Sequence, residues 1–172
     1  RLRKKLEPGG ARITTVRVTS AQEMHDAVHE RIGSAAIFIG VAAVADYRPA
    51  SVAEQKIKKS TERLTIELVR NPDILASVAA LKPAPFTVGF AAETEHLETA
   101  ARAKLAAKGV DLIAANLVGG SEGGFGADEN RLLLVDRQGT TDLPLASKTR
   151  LARALIQHIA KLYRQHQQRR AS

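Results

Sequence analysis

The feature that most constrains the fold of this chain is an almost wholly apolar run over residues 35–44, which follows an amphipathic helical pattern. A run of this length suits a strand that is covered on both faces, as in a parallel sheet. Residues 86–90 and 112–115 repeat this arrangement, each after a segment with helical spacing of apolar residues. The alternation predicts a doubly wound α/β fold, with a mostly parallel, Rossmann-like sheet and helices on both faces.

Capping residues mark the first and last helices. Ser20 and Glu23 have the spacing of a capping box that opens a helix, and Gly33 suits the C-terminal cap of that helix. Ser147 is expected to cap the final helix. One face of that helix carries apolar residues at helical spacing, namely Leu151, Leu155, Ile159 and Leu162.

Other local signals predict two further strands and two further caps. Residues 12–18 are rich in β-branched side chains, and apolar residues alternate with polar ones over residues 64–68, so both segments are predicted to be strands. Asn71 is expected to cap a short helix that has Pro72 at its first position. Thr94 is expected to cap the next helix.

The charge distribution argues against a nucleic-acid partner. The net charge is +8, but residues 1–5 and residues 161–172 each contribute four positive charges, and the remaining residues balance to zero. Aromatic residues for base stacking make up only 3% of the chain. We therefore expect no nucleic-acid partner.

The length of 172 residues predicts one domain over residues 1–172. We expect poorly ordered tails at 1–10 and 165–172.

Cysteine content and apolar patterning bear on the compartment. The chain contains no Cys, which excludes disulfides and Cys-based metal sites and fits a reducing cytoplasm. The basic start at residues 1–5 has no apolar stretch behind it, unlike a signal peptide. No apolar run is long enough to span a bilayer. These features predict a cytoplasmic protein without a membrane partner.

Polar and glycine-containing clusters follow four of the predicted strands, at residues 40–46, 71–74, 90–94 and 116–126. Ligands of open parallel sheets bind outside the carboxyl ends of the strands. We therefore expect these clusters to meet around one ligand. The glycine-rich part at 119–126 does not match a Walker or dinucleotide motif, so it is either a mobile loop or a lid.

Lysines supply candidate phosphate ligands. Three of them fall within four positions at Lys56, Lys58 and Lys59, where ammonium groups suit a polyphosphate or a leaving pyrophosphate. The alternative is a solvated charge run, which we consider less favoured beside the 40–46 loop. Lys104 and Lys108 share one helix face, which by itself is typical of surface residues.

Four motifs in order, at residues 40–49, 56–59, 71–74 and 88–94, closely resemble those of bacterial phosphopantothenoylcysteine synthetase. The resemblance extends from about the first helix to the last. It implies a ligase domain that forms homodimers, contains no flavin of its own, and is natively fused to or associated with a flavin-dependent phosphopantothenoylcysteine decarboxylase.

The resemblance also implies a reaction. The carboxylate of 4′-phosphopantothenate attacks the α-phosphate of CTP and displaces pyrophosphate, which gives an acyl-cytidylate. The amine of cysteine then attacks this intermediate, releasing CMP and 4′-phosphopantothenoylcysteine. Mg²⁺ accompanies the triphosphate and neutralises its charge during transfer.

The resemblance assigns the role of the family's essential, catalytic lysine to Lys56, which matches it in the motif. The residues that it places around the nucleotide are Gly40, Val41, Ala42, Asp46, Lys56, Asn71, Pro72, Asp73, Ile74, Phe90, Lys104 and Lys108. It leaves the metal ligands open.

One departure from the family stands at the beginning of the chain. Members open with a strand, a Ser-Gly-Pro-Thr loop, an Asn and a Ser-Ser-Gly helix start, and residues 1–10 match none of these. We therefore expect that this chain lacks the family's N-terminal segment. The alternative function is a catalytically incomplete fragment that binds nucleotide or dimerises without turnover.

Overall fold

The computed structural model of the chain describes residues 13–58, 62–118 and 128–171. A five-stranded sheet has the order β1-β4-β5-β6-β7, and β2 and β3 form a separate two-stranded ribbon, which we call the arm. The elements in chain order are α1 (Ala21–Arg31), β1 (Ile37–Gly40), β2 (Tyr47–Pro49), β3 (Leu68–Arg70), α2 (Ile74–Ala79), β4 (Phe86–Glu93), α3 (Leu97–Lys108), β5 (Leu112–Leu117), β6 (Glu129–Asp136), β7 (Thr140–Ser147) and α4 (Lys148–Ala171).

The main sheet changes direction halfway across. β1, β4 and β5 run parallel, whereas β6 and β7 are antiparallel to their neighbours. The turn between β6 and β7 at residues 137–139 is too short for a crossover, so these two strands must run antiparallel. The predicted α/β fold is confirmed, although β7 was not among the predicted strands.

Helices cover both faces of this sheet, as predicted. On one face, α4 buries its apolar stripe against strands β4, β5 and β6, and the stripe consists of Leu151, Leu155 and Ile159. On the other face, Ala101 of α3 packs with Val110 and with Ile113 of β5. The hydroxyl of Ser147 accepts a hydrogen bond from the Arg150 N–H at 3.4 Å, which confirms the predicted cap of α4.

Three strand predictions need correction. Residues 13–18 form no strand, and their apolar side chains are exposed, because no neighbouring strand pairs with them among the described residues. Residues 64–67 are likewise irregular and exposed, since no layer from the described part of the chain packs over the arm and β3 starts only at Leu68. β1 is only half-buried, because it lies at an edge of the described sheet.

The helix caps are partly as predicted. Ser20 caps α1. Gly33, however, lies within a short 3-10 turn, and Ile32 is the C-cap. The predicted cap Thr94 is wrong: α3 starts later, with His96 as its N-cap in a left-handed conformation at φ 50°.

The last helix is long and polar. α4 spans 24 residues and continues into the segment that was predicted to be a C-terminal tail. Residues 1–12, which include the predicted N-terminal tail, lie outside the described residues. Within the described ranges, we find no helix that combines the length and apolarity needed to cross a membrane.

A pair of glycines brings α2 close to the sheet. Gly40 and Gly89 are register partners on β1 and β4. A Cβ atom on Gly89 would lie 2.6 Å from Leu75 Cδ2 and 3.0 Å from Ile113 Cδ1, and one on Gly40 would lie 3.3 Å from Leu75 Cδ1. Leu75 of α2 is therefore seated directly on the backbone of two strands.

This packing predicts that Gly89→Ala destabilises the fold. The added methyl must displace the ends of two side chains, and overpacking of this kind costs about 1–3 kcal/mol. Gly40→Ala is expected to cost less, because its contacts are longer. Gly139→Ala is the control, since no atom lies within 4 Å of its added methyl. Urea unfolding of the three variants measures this order, and equal midpoints for the Gly89 and Gly139 variants would contradict it.

Candidate functional site

A cavity of about 420 Å³ opens where β1 ends beside β4, which is the edge of the sheet predicted to hold ligands. Helices α2 and α3 and the base of the arm complete its walls. The volume is within the usual range for small-molecule sites. The lining residues are Met24, Phe38, Gly40, Ala42, Val44, Ala45, Asp46, Tyr47, Arg70, Asn71, Pro72, Asp73, Ile74, Leu75, Phe90, Lys104 and Lys108.

Ten of the twelve residues assigned to the nucleotide site line this cavity. The two that do not are Val41, a residue that is 61% exposed, and Lys56, which lies in an exposed irregular segment between the two strands of the arm. The structure thus brings three of the four sequence motifs together. Contact of these residues with a nucleotide stays a prediction.

Seven lining residues were not among those assigned individually to the nucleotide site, although Val44 and Ala45 belong to the 40–46 cluster that was expected to surround a ligand. The seven are Met24, Phe38, Val44, Ala45, Tyr47, Arg70 and Leu75. Phe38, Val44 and Leu75 look like ordinary core residues in sequence. Tyr47 and Arg70 are register partners in the arm, and this pairing across the arm carries no local sequence signal.

Asn71 links the segment that precedes β2 to the segment that follows β3, at the base of the arm. Its side-chain Nδ2 donates to the carbonyl oxygen of Ala45 at 2.8 Å, and its backbone N–H donates to the carbonyl oxygen of Asp46 at 2.8 Å. The predicted helix cap at Asn71 is wrong, because the side-chain oxygen that would cap α2 accepts a hydrogen bond from a guanidinium instead. The N-cap of α2 is Asp73, whose Oδ1 accepts from the Ala76 N–H at 3.0 Å.

Asp73 also joins α2 to α3 by a hydrogen-bonded ion pair with the Lys108 ammonium. Partial burial raises the pKa of the Asp73 carboxyl, but the hydrogen bonds from Lys108 and from the Ala76 N–H outweigh this effect. The pKa of Asp73 therefore lies below its ordinary value, with a smaller contribution from Lys104. At neutral pH the cavity thus contains a fixed carboxylate next to two ammonium groups.

Five charged side chains line the cavity, and cations exceed anions by one: Arg70, Lys104, Lys108, Asp46 and Asp73. A hydrogen bond with Tyr47 raises the pKa of Arg70, whose guanidinium is charged at neutral pH in any environment. Such a mixed lining suits a ligand that carries both phosphates and hydrogen-bonding groups.

The cavity does not contain a self-sufficient metal site. In the described part of the chain, no group of three or more His, Asp or Glu side chains converges to hold a metal ion. Asp73 is already engaged by Lys108, which leaves Asp46 as the lining carboxylate open to a cation. Mg²⁺ bound together with substrate phosphates needs only one or two protein carboxylates, so this lining fits a metal that arrives with a nucleotide.

Two sequence predictions fall outside what the structure describes. The glycine-rich segment at 119–126 is not described, and neither is Lys59, the last lysine of its cluster.

Comparison with curated proteins identifies close relatives. The chain is 54% identical over 147 residues to the coenzyme A biosynthesis bifunctional protein CoaBC of Vibrio cholerae, and this match covers 84% of the chain and 37% of the relative. It is 47% identical over 155 residues to CoaBC of Escherichia coli, covering 88% of the chain and 38% of the relative. The chain therefore spans less than two fifths of the length of these relatives.

Solved structures agree with these relatives. The C-terminal domain of a CoaBC protein superposes with a TM-score of 0.71 at 34% identity, covering 88% of the chain and 67% of that structure. A DNA/pantothenate metabolism flavoprotein from Streptococcus pneumoniae gives a TM-score of 0.65 at 22% identity, covering 86% of the chain and 69% of that structure, and this match supports the fold alone. The family model for the DNA/pantothenate metabolism flavoprotein C-terminal domain matches residues 4–163. The chain belongs to this family.

Proposed function

We propose that this domain binds CTP in the cavity and ligates 4′-phosphopantothenate to cysteine, as a step of coenzyme A biosynthesis. The observation that carries the proposal is the convergence of three sequence motifs and two helix lysines on one cavity at the carboxyl end of β1. The naming of the CoaBC relatives as coenzyme A biosynthesis proteins supports the same pathway.

The proposed reaction proceeds in two steps. First, a carboxylate oxygen of 4′-phosphopantothenate attacks the α-phosphorus of CTP, and the bond to the β-phosphate oxygen breaks to release pyrophosphate. The cysteine amine then attacks the acyl carbon and loses a proton, while the bond to the CMP oxygen breaks. Activation is needed because a carboxylate oxygen is a poor leaving group, whereas CMP leaves readily.

Each part of the cavity has a proposed role. The ammonium groups of Lys104 and Lys108 bind the phosphates and stabilise the charge that develops on pyrophosphate. Gly40 lies at the end of β1 in the cavity lining and is proposed to present its backbone to the triphosphate. Phe90 and the 71–74 segment surround the nucleoside. Asp46 would hold Mg²⁺, which neutralises phosphate charge when it is bound with the triphosphate.

We also infer the setting of this enzyme. The relatives are bifunctional proteins that extend well beyond this chain, so we propose that the domain is natively fused to or associated with a flavin-dependent decarboxylase. We further propose a cytoplasmic homodimer. Both inferences rest on the family resemblance.

The proposed nucleotide site predicts a coupled effect at Lys108 and Asp73. Lys108→Gln removes a phosphate ligand and leaves the Asp73 carboxylate unpaired beside the triphosphate, so CTP binding should weaken at least about tenfold. Adding Asp73→Asn should recover part of this loss, because Asn removes the repelling charge and still caps α2. Calorimetric titration with CTP measures both effects.

Lys148→Gln, at the start of α4 and outside the cavity, is the matched control for lost positive charge. A double variant that binds CTP no better than Lys108→Gln alone would contradict the proposed competition between Asp73 and the triphosphate.

A second experiment tests Lys56, which lies outside the cavity lining and is assigned to the phosphates by the lysine cluster in the sequence and by the resemblance. We predict that Lys56→Gln nearly abolishes acyl-cytidylate formation, because it removes an ammonium group assigned to the reacting phosphates. Rapid quenching of reactions that contain CTP and 4′-phosphopantothenate measures the intermediate. Full activity of this variant, with Lys148→Gln again as the control, would refute the catalytic role.

A second candidate function is nucleotide binding without turnover. The open edge of β1 in the described sheet favours it, because the strand that borders the cavity is paired on one side only. Unpaired backbone groups at such an edge would leave this wall of the site less rigid, and catalysis depends on exact placement of groups more than binding does.

Two measurements on the same sample separate these functions. The ligase proposal predicts both heat of CTP binding and release of pyrophosphate that depends on 4′-phosphopantothenate. Binding without pyrophosphate release would favour the second candidate, and absence of binding would contradict both.

A further inference from the structure

Arg48 lies in β2 and is not part of the cavity lining, yet it contacts two residues that are. Its Nη1 donates to the carbonyl oxygen of Arg70 at 2.8 Å and to Oδ1 of Asn71 at 3.2 Å. Both acceptors lie across the arm from Arg48, at the end of β3 and directly after it, 22 and 23 residues further along the chain. One guanidinium therefore ties β2 to the end of β3 and to the start of the 71–74 segment.

The contact with Arg48 determines which way the Asn71 amide faces. A guanidinium carries donors and no acceptor, so it can form a hydrogen bond only with the oxygen of the amide. With Oδ1 turned to Arg48, Nδ2 points to the carbonyl oxygen of Ala45, to which it donates at 2.8 Å. A flipped amide would face donor to donor on one side and acceptor to acceptor on the other.

The oriented amide holds one wall of the cavity. Asn71 bonds to the carbonyl oxygens of both Ala45 and Asp46, and all three residues line the cavity. We propose that Arg48 is a positioning residue for the nucleotide site: by orienting the Asn71 amide it fixes the 45–46 backbone and thereby the Asp46 side chain. This inference rests on the proposed function, because it assumes that the ligand of the cavity is a nucleotide.

A double-mutant cycle tests whether Arg48 acts through Asn71. We expect Arg48→Met and Asn71→Ala each to weaken CTP binding about tenfold, which corresponds to loss of one charge-assisted hydrogen bond in the supporting network. In the Asn71→Ala background, Arg48→Met should change the affinity less than about twofold, because the amide it orients is already absent. Arg48→Lys keeps a charged donor and should restore binding to within about threefold of the unsubstituted chain.

Arg153→Met provides the matched control, since it removes an exposed guanidinium from α4 without touching the cavity. Equal losses from Arg48→Met in the presence and absence of Asn71 would overturn the inference, as would unchanged binding by Arg48→Met alone.

A second readout does not depend on the nucleotide. Hydrogen exchange of the Asn71 backbone N–H, followed by NMR in the ligand-free chain, should accelerate at least about tenfold in Arg48→Met, because its hydrogen bond to Asp46 loses support. Unchanged exchange would overturn the positioning role. If the unsubstituted chain binds no CTP, the proposed function fails, and this exchange rate still decides the inference about Arg48.

Discussion

The candidate site depends on the contact between Leu75 and the paired glycines Gly40 and Gly89. Any larger residue at Gly89 would collide with Leu75, so the absence of two side chains allows α2 to lie directly on β1 and β4. This contact sets the depth at which the 71–74 segment meets the strand ends. Without it, the residues of that segment would stand away from Phe90 and the cavity would be wider and less defined.

Two polar connections act on top of this packing. The ion pair between Asp73 and Lys108 links the start of α2 to the end of α3, and the Asn71 hydrogen bonds link the start of α2 to the arm. Each connection joins elements that are far apart in sequence but adjacent at the same edge of the sheet. The cavity is therefore built from hydrophobic packing of α2 on the sheet and from oriented polar groups around its rim. These polar groups present the charges that the proposed chemistry uses.

Elements with strong periodicity were predictable from the sequence, and those that depend on distant partners were not. The apolar stripe of α4 and the buried strands β4 and β5 follow from local patterns, because packing and pattern agree there. Residues 13–18 and 64–67 have strand-like composition, but a strand also needs a neighbour, and composition cannot supply one. The cap at Asp73 was missed for a related reason: Asn71 has equal capping preference, but its side-chain oxygen accepts from Arg48 of the arm.

For the site, the resemblance predicted most of the lining residues. Tyr47 and Arg70 could be placed in the lining only from the pairing of β2 with β3. Backbone NMR spectra recorded during addition of CTP show directly whether this cavity binds the nucleotide. We expect the shifts to concentrate at the end of β1, at residues 71–74 and around Phe90, while the resonances of α4 stay unchanged. Shifts that centre on α4, or that spread evenly over the chain, would contradict a nucleotide site in this cavity.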